Sequence, residues 1–212
     1  HKKVYSTISG ILDDNSIPET NILKNEFTNV KTVLNTLGKG VKFAIESGIK
    51  QAKFDNILIC TVDEIFPILT IEKMLEMMLN ENYDFVSGTR YSKGGKRIGG
   101  SFIGSLLSRI ANKSFVLLTG IPFNDCTTGL KMMRKEVWKS IKLESEPIGW
   151  AFAFELSIKV YLKEYKVSEF PFKSVDRLFG GSSTFKSVPW IKEYIKWFIW
   201  GFKEIRKNEK KK

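Results

Sequence analysis

Two acidic residues follow an apolar segment early in the chain. The run Ile57-Leu58-Ile59-Cys60 has the length of a strand and no polar alternation, and it leads into Thr61-Val62-Asp63-Glu64. An unbroken apolar run is typical of a strand that is buried on both faces of a parallel sheet. In open α/β sheets, ligands bind at the carboxyl ends of the strands. The pattern therefore makes Asp63 and Glu64 candidates for ligand or metal binding at this edge.

A basic residue follows the next predicted strand. An amphipathic helix opened by Pro67 separates the two strands, and Phe85-Val86 then leads to Arg90. One strand end thus offers carboxylates and the next a guanidinium, the combination that a phosphate substrate with a metal requires. Two plainer interpretations stay open: Asp63 caps the following helix, and Arg90 forms a structural ion pair, for instance with Asp125.

A glycine-punctuated turn, Gly38-Lys39-Gly40, opens a helix predicted from Val41 to Ala52. Backbone N–H groups at such a helix start are free to meet an anion, and Lys39 lies beside them. Gly-x-Gly is also common in ordinary turns, so on its own this pattern indicates a phosphate site only weakly.

Length and composition predict a folded chain with one domain. Its 212 residues suffice for a buried core, and 42% hydrophobic with 13% aromatic residues exclude a disordered chain. Cys60 and Cys126 form neither a disulfide framework nor a metal-binding spacing, so a reducing compartment is expected. We find no apolar run of about 18 residues and no signal peptide.

The positive charge is concentrated near the end of the chain. The net charge is +11, and the last 27 residues contribute +6 of it. A basic tail beside aromatic residues predicts contact with an anionic surface, either a membrane or a nucleic acid. Nucleic-acid binding requires basic residues interleaved with exposed aromatics along a face. Because the charge lies in a tail, the sequence predicts no nucleic-acid partner.

A helix predicted from Val188 to Lys207 carries a broad apolar arc that is rich in Trp. Such an arc, edged by Lys, is typical of a helix lying in a membrane interface. A terminal helix packed on the domain is the alternative. The apolar stripe comprises Ile191, Tyr194, Ile195, Phe198, Phe202 and Ile205, flanked by Trp190 and Trp197 on one side and by Lys192, Lys196 and Lys203 on the other.

Seven short motifs occur in a defined order along nearly the whole chain. The motifs are Asp13-Asp14-Asn15-Ser16, Asn35…Gly38-Lys39-Gly40, Ser87-Gly88-Thr89-Arg90-Tyr91, Ser108-Arg109…Asn112, Asp125-Cys126-Thr127-Thr128-Gly129, Glu155, and Arg177…Gly180…Ser182. Each motif alone is weakly specific, but the order of all seven is specific. In this order the chain resembles family 2 glycosyltransferases, especially the dolichol-phosphate mannose synthase and polyprenyl-phosphate glucosyltransferase branch.

The resemblance implies a GT-A fold, an α/β architecture with a mostly parallel central sheet flanked by helices. We expect a GT-A domain over residues 1–187, with an amphipathic membrane-interface helix and basic tail over residues 188–212. The family's opening strand and nucleotide motif are absent, and the apolar segment Ile8 to Leu12 looks like a second strand. We therefore expect an N-terminally truncated fragment.

The resemblance also implies inverting transfer of a sugar from a GDP- or UDP-linked donor to a polyprenyl (dolichyl-type) phosphate. The enzyme would lie peripherally on the cytoplasmic side of a membrane, with its C-terminal helix on the surface. A divalent ion, Mg²⁺ or Mn²⁺, would neutralise the departing diphosphate. The implied roles are metal binding for Asp63 and Glu64, nucleotide-sugar binding for Asp13, Asp14, Lys39, Asp63 and Asp125, acceptor-phosphate binding for Arg90, Arg177 and Ser182, and catalysis for Asp63, Arg90 and Arg177.

One position departs from the family pattern. The family's Asp-x-Asp signature reads Thr61-Val62-Asp63 here, and the loss of a carboxylate is expected to weaken the metal site. A catalytically weak relative that binds sugar nucleotide therefore stays an alternative. A second alternative is a soluble family 2 enzyme with a saccharide acceptor, for which Asp125 is the candidate carboxylate base.

Overall fold

The structure is a computed structural model that describes residues 8–12, 30–61, 64–65, 69–176 and 187–211. Within these ranges helices and strands alternate along the chain. The strands are β1 Ile8–Leu12, β2 Val30–Leu34, β3 Asn56–Ile59, β4 Glu64–Ile65, β5 Phe85–Thr89, β6 Lys96–Gly99, β7 Lys131–Arg134, β8 Val167–Pro171 and β9 Lys173–Asp176. The helices are α1 Val41–Gln51, α2 Leu69–Asn80, α3 Phe102–Thr119, α4 Lys135–Ser140, α5 Ala151–Leu162 and α6 Ser187–Glu209.

The described strands form a mixed sheet arrangement. The largest sheet has four strands in the order β3-β7-β5-β8, in which β7 is antiparallel to both neighbours and β5 is parallel to β8. A parallel pair, β1 with β2, forms a separate ladder. The predicted α/β class and parallel strands are confirmed. The prediction of a mostly parallel sheet needs correction, because β7 runs against both of its neighbours.

Hydrophobic clusters cover both faces of the four-stranded sheet. One cluster contains Phe85 and Met133 together with residues of α1, α5 and α6, and the other contains Val86 with Met74 and Met78 of α2. Strand β3 contributes to both clusters, with Ile57 and Ile59 in the first and Leu58 against the second. The unbroken apolar run of β3 therefore has the predicted cause, which is burial on two faces.

Helix α5 lies inside the larger cluster, and each of its residues from 151 to 158 is buried. Glu155 is among them, and its carboxylate accepts the backbone N–H groups of Glu144 at 2.6 Å and Ser145 at 2.8 Å. Lys159, one helical turn later, lies 2.6 Å from the same carboxylate. Glu155, one of the seven motifs, is therefore a buried carboxylate with a partner of opposite charge.

A small three-stranded sheet, in the order β4-β9-β6, joins segments that are distant in the sequence. The register places Glu64 opposite Asp176 and Gly99 beside the same residue. Strand β6 lies within the segment from 91 to 101, which is rich in Gly, Lys and Arg, and β9 ends at Asp176. The backbone groups of each strand are paired with the other strand, so these two strands depend on a distant segment and not on a local sequence pattern.

Helix α6 buries one face of its apolar arc and exposes another. Trp197 and Ile205 are 3% and 1% exposed, whereas Ile195 and Ile199 are 52% and 48% exposed. The buried face contacts α5 and α3. Packing of a terminal helix on the domain thus accounts for the buried face of α6, and contact of its exposed face with a membrane stays a prediction. In the described part of the chain, no helix combines the length and the hydrophobicity that a membrane span needs.

Candidate active site

An ion pair between Arg90 and Asp125 lies at the centre of the candidate site. Arg90 directly follows β5, and Asp125 lies in the turn between α3 and β7. The Nε atom of Arg90 donates to Asp125 Oδ2 at 2.7 Å, and Nη2 donates to Oδ1 at 3.0 Å. The side chain of Asp125 is fully buried, and that of Arg90 is 10% exposed. The structure therefore shows the ion pair that the sequence left open, and a role of Arg90 toward a phosphate stays a prediction.

The Asp125 carboxylate accepts hydrogen bonds on both oxygens. The backbone N–H of Arg90 donates to Oδ2 at 3.2 Å, and the N–H and hydroxyl of Thr127 donate to Oδ1 at 3.3 and 3.0 Å. With the two guanidinium contacts, these bonds fill the roughly four lone-pair sites of a carboxylate. Burial alone would raise the pKa of Asp125, but the charge and hydrogen bonds of Arg90 hold that pKa below its usual range. Asp125 is therefore a fixed anion at neutral pH.

Two side chains from different elements hold the turn that carries Asp125. Glu169 on β8 accepts the backbone N–H of Asp125 at 2.9 Å. Asn112 on α3 accepts the N–H of Cys126 at 2.8 Å and donates to Thr127 Oγ1 at 3.0 Å. The position of Asp125 is thus fixed from the sheet and from α3 together.

Hydroxyl groups extend this network along α3. Ser108 Oγ lies 2.9 Å from Thr127 Oγ1 and accepts a hydrogen bond from the Tyr91 hydroxyl at 3.0 Å. The Arg90 guanidinium donates to Thr127 Oγ1 at 3.2 Å and lies over the ring of Tyr91. Three of the motifs that the sequence singled out therefore form one hydrogen-bonded unit: residues 87–91, 108–112 and 125–129.

A buried lysine beneath this unit was missed by the sequence analysis. Lys131 on β7 is fully buried, and its Nζ atom donates to the hydroxyls of Ser87 at 3.1 Å and Ser157 at 2.9 Å. Burial lowers the pKa of Lys131 to about 8, while the negative charges of Asp125 and Glu169 act in the opposite direction. The one available indication was a charged residue inside the apolar segment Leu130 to Met133.

The structure gives a local reason for the glycines around Lys39. Gly38 and Gly40 have φ angles of 130° and 119°, which disfavour residues with a side chain. The Asn35 amide donates to the carbonyl of Gly38 at 2.6 Å, and a Cβ atom on Gly40 would collide with the backbone of Pro147. These features account for the turn without a ligand, and the nucleotide role of Lys39 stays a prediction.

The remaining predicted site residues are described in part or not at all. Glu64 is described through its backbone, which pairs with β9 in the small sheet. Among the described residues, no group of three or more His, Cys, Asp or Glu is placed to hold a metal ion. The following residues lie outside the described part of the chain: Asp13, Asp14, Asp63, Arg177 and Ser182.

Solved structures with the same fold are similar to the chain at low sequence identity. Glucosyl-3-phosphoglycerate synthase from Mycobacterium tuberculosis, in complex with Mn²⁺, UDP-glucose and phosphoglyceric acid, matches with a TM-score of 0.62 and 11% identity. That match covers 91% of this chain and 66% of the synthase chain. The same enzyme with Mg²⁺ and UDP gives a TM-score of 0.62 at 12% identity, over 90% of this chain and 66% of the other. These matches confirm the predicted GT-A fold.

Two curated relatives are similar in sequence. A dolichol-phosphate mannosyltransferase of Pyrococcus furiosus is 31% identical over 199 residues, which are 88% of this chain and 54% of that protein. A dolichyl-phosphate hexose transferase of Haloferax volcanii is 26% identical over 162 residues, which are 71% of this chain and 67% of that protein. The chain thus spans about half the length of the first relative and two thirds of the second.

The model of the family described as Glycosyl transferase family 2 matches residues 10–141. This range includes β5, α3 and the turn that carries Asp125, so it contains the ion pair and most of the hydrogen-bonded network around it. The match extends over more than half of the chain and agrees with both relatives and with the fold. The chain therefore belongs to glycosyltransferase family 2.

Proposed function

We propose that the protein to which this chain belongs is a hexosyltransferase that transfers a sugar, with inversion, from a nucleotide-sugar to a polyprenyl phosphate. Membership of the family and the names of the two curated relatives support the reaction class. The donor is a GDP- or UDP-sugar, and the acceptor is presented at the cytoplasmic surface of a membrane. The exposed isoleucines of α6, Ile191, Ile195 and Ile199, support contact with that surface.

The state of Asp125 is the observation that favours a phosphate acceptor. A saccharide hydroxyl must lose a proton in the reaction, so an enzyme acting on it needs a carboxylate base with a suitable pKa. Asp125 was the candidate for that base, but its pKa is lowered and its lone pairs are occupied by Arg90 and Thr127. A phosphate acceptor is already ionised and requires no base. The geometry thus fits the polyprenyl-phosphate reaction better than the saccharide alternative.

The acceptor phosphate is proposed to bind to Arg177 and Ser182, which belong to the segment that follows β9 in the sequence. Guanidinium groups bind phosphate through paired charge-assisted hydrogen bonds. The guanidinium of Arg90 donates to Asp125 and Thr127, so we propose that it positions the turn that carries Asp125. We also keep for Arg90 the role of binding the acceptor phosphate that the family resemblance implies. Asp13, Asp14 and Lys39 are proposed to bind the nucleotide-sugar.

A divalent cation, Mg²⁺ or Mn²⁺, is proposed to bind at Asp63 and Glu64. The pairing of β4 with β9 places Glu64 opposite Asp176, so acidic residues occur on both strands at this point. Carboxylate oxygens are suitable ligands for a hard cation. Structures of glucosyl-3-phosphoglycerate synthase, which has the same fold, were solved with Mn²⁺ and UDP-glucose and with Mg²⁺ and UDP. When bound, the cation neutralises charge on the departing diphosphate.

A transfer assay with paired acceptors tests this proposal. The full-length protein is incubated with radiolabelled GDP- and UDP-sugars, Mg²⁺ or Mn²⁺, and either a short polyprenyl phosphate or an oligosaccharide. We expect label in the lipid, and we expect its loss with EDTA and in the Asp63→Ala and Arg177→Ala variants. Label in the oligosaccharide alone would establish the saccharide alternative. Donor binding without transfer to either acceptor would establish the catalytically weak relative that Thr61 suggests.

A further inference from the structure

Helix α3 presents an unusually apolar face to solvent. Leu117 is 84% exposed and Phe102 is 80% exposed, although exposure of an apolar side chain to water is unfavourable. Isolated exposed apolar residues are ordinary, but a set of this size on one helix marks an interaction surface. We call this set the α3 apolar face, and its members are Phe102, Ile103, Leu106, Leu107, Ile110, Leu117 and Leu118.

The opposite side of α3 is buried and bonded to the active-site turn. Asn112, Phe115 and Thr119 are at most 2% exposed. At about 100° per residue, these positions and Ser108 fall on one side of the helix, and the α3 apolar face falls on the other. The helix therefore has a fixed orientation, because Asn112 and Ser108 bond to Thr127. Its apolar face is directed away from the domain.

The charges of α3 favour an anionic partner. Arg109 and Lys113 are exposed and lie along one edge of the apolar face, and residues 102–119 contain no Asp or Glu. Contact of this face with the same face of a second copy would bring like charges together, with no acid on the helix to pair with them. A membrane surface with anionic headgroups accepts both the basic edge and the apolar residues.

We propose that the α3 apolar face inserts into the boundary between headgroups and acyl chains of a lipid bilayer. Because α3 also holds the Asp125 turn through Asn112, insertion fixes the height of the active site above the membrane. The choice of a lipid as the occupant rests on the proposed function, whose acceptor is a lipid. This surface is separate from α6, to which the sequence analysis confined membrane contact.

Vesicle binding by the 212-residue chain tests the proposal without donor or acceptor. Sedimentation with phosphatidylcholine vesicles, with and without phosphatidylglycerol, is compared for the unchanged chain and for the Phe102→Ser/Leu117→Ser variant. These two side chains are the most exposed of the set, so their loss should leave the fold intact, which circular dichroism checks. We expect binding that increases with phosphatidylglycerol and an affinity in the variant that is weaker by on the order of tenfold.

A matched control uses equally apolar residues on another helix. Leu69 and Leu79 on α2 are 62% and 51% exposed, and Leu69→Ser/Leu79→Ser should leave binding unchanged. The emission of an environment-sensitive dye attached to a Leu106→Cys variant, in a Cys60→Ser background, should shift to the blue with vesicles. The emission of the same dye on a Leu79→Cys variant should not shift.

Three outcomes would overturn the proposal. The first is unchanged binding in the α3 variant together with its loss in an Ile195→Ser/Ile199→Ser variant, which would assign the contact to α6 alone. The second is a dimer by light scattering that the α3 variant dissociates. The third is absence of vesicle binding. Because no sugar transfer is measured, failure here is distinguishable from failure of the proposed reaction.

Discussion

Two buried ionisable side chains in the active-site region have opposite environments. Asp125 is surrounded by donors that favour its charged form, whereas Lys131 is held by two neutral hydroxyls. Burial disfavours the charge of both residues, but only Asp125 has a directly bonded partner of opposite charge. The two residues should therefore respond differently to mutation and to pH.

Replacement of Arg90 by Met should reduce the free energy of unfolding by about 3 to 5 kcal/mol, because it leaves a buried carboxylate unpaired. Arg134→Met is the control, since the pair of Arg134 with Asp84 is about one third exposed and should contribute about 1 kcal/mol or less. Urea unfolding at neutral pH measures both. Because the pKa of Asp125 is lowered in the folded state, this carboxyl stabilises the fold at pH values above its unfolded-state pKa. That stabilisation is lost as the pH falls through the folded-state pKa. The effect of Arg90→Met should thus shrink below about pH 4; equal effects of both variants at neutral pH would contradict this account.

The lowered pKa of Lys131 should make the free energy of unfolding depend on pH between about pH 8 and pH 10.5. Its pKa is lowered to about 8 from a model-peptide value of 10.5, so the unfolded chain binds more protons between these limits. Stability from this group therefore rises with pH across that window, by on the order of 3 kcal/mol. Lys131→Met should remove this rise, and the difference between the two unfolding curves isolates it. Parallel pH profiles from pH 8 to 10 would show that Lys131 has an ordinary pKa.

At the level of elements, α6 is held by close packing against α5 and α3. Gly201 lets the helix approach so closely that a Cβ atom there would lie 2.6 Å from Ile158 and 2.9 Å from Phe115. Trp197 is buried on the same face and donates to Glu193 at 2.8 Å. Trp190 covers Gly149, and Trp200 packs edge-on against Trp197. Packing therefore explains Trp residues that the sequence analysis attributed to a membrane interface.

Gly201→Ala should destabilise the protein by about 1 to 3 kcal/mol, although Ala favours helix by about 1 kcal/mol. Gly104→Ala in α3 is the matched control, because a Cβ atom there meets only Ser101 at 3.5 Å, an ordinary contact. That variant should be neutral or more stable. Thermal unfolding measures both, and a stabilising Gly201→Ala would exclude the close approach of α6.

The sequence predicted helices better than small strands, for a physical reason. Helical sequence patterns are local, so the helices predicted from Val41 to Ala52 and from Val188 to Lys207 match α1 and α6 to within two residues at each end. Strands β6 and β9 are stabilised by pairing between segments that are 77 residues apart, as with Arg97 beside Ser174, and neither segment carries a strong strand pattern. The burial of Lys131 likewise depends on Ser87 and Ser157 from two other elements.

At the scale of the whole molecule, hydrogen bonds around Asp125 join the four-stranded sheet to α3. The four-stranded sheet supplies Glu169 and the end of β5, α3 supplies Asn112 and Ser108, and the small sheet joins the segments that precede Arg177 and include Glu64. The sequence placed Arg90 and Asp125 in one site and left their pairing as one of two interpretations. The contacts that hold Asp125 as an anion depend on this assembly and therefore could not be predicted from spacing alone.

The choice of a phosphate acceptor rests on the ionisation of Asp125, which can be measured directly. The measurement is a ¹³C NMR titration of the chain with labelled aspartate carboxyls, with Asp125→Asn to assign the signal. We predict that the Asp125 carboxyl stays ionised from neutral pH down to below the ordinary aspartate pKa of about 3.9. A carboxyl that titrates near neutral pH would contradict the account, since Asp125 would then be suited to act as a base on a saccharide hydroxyl.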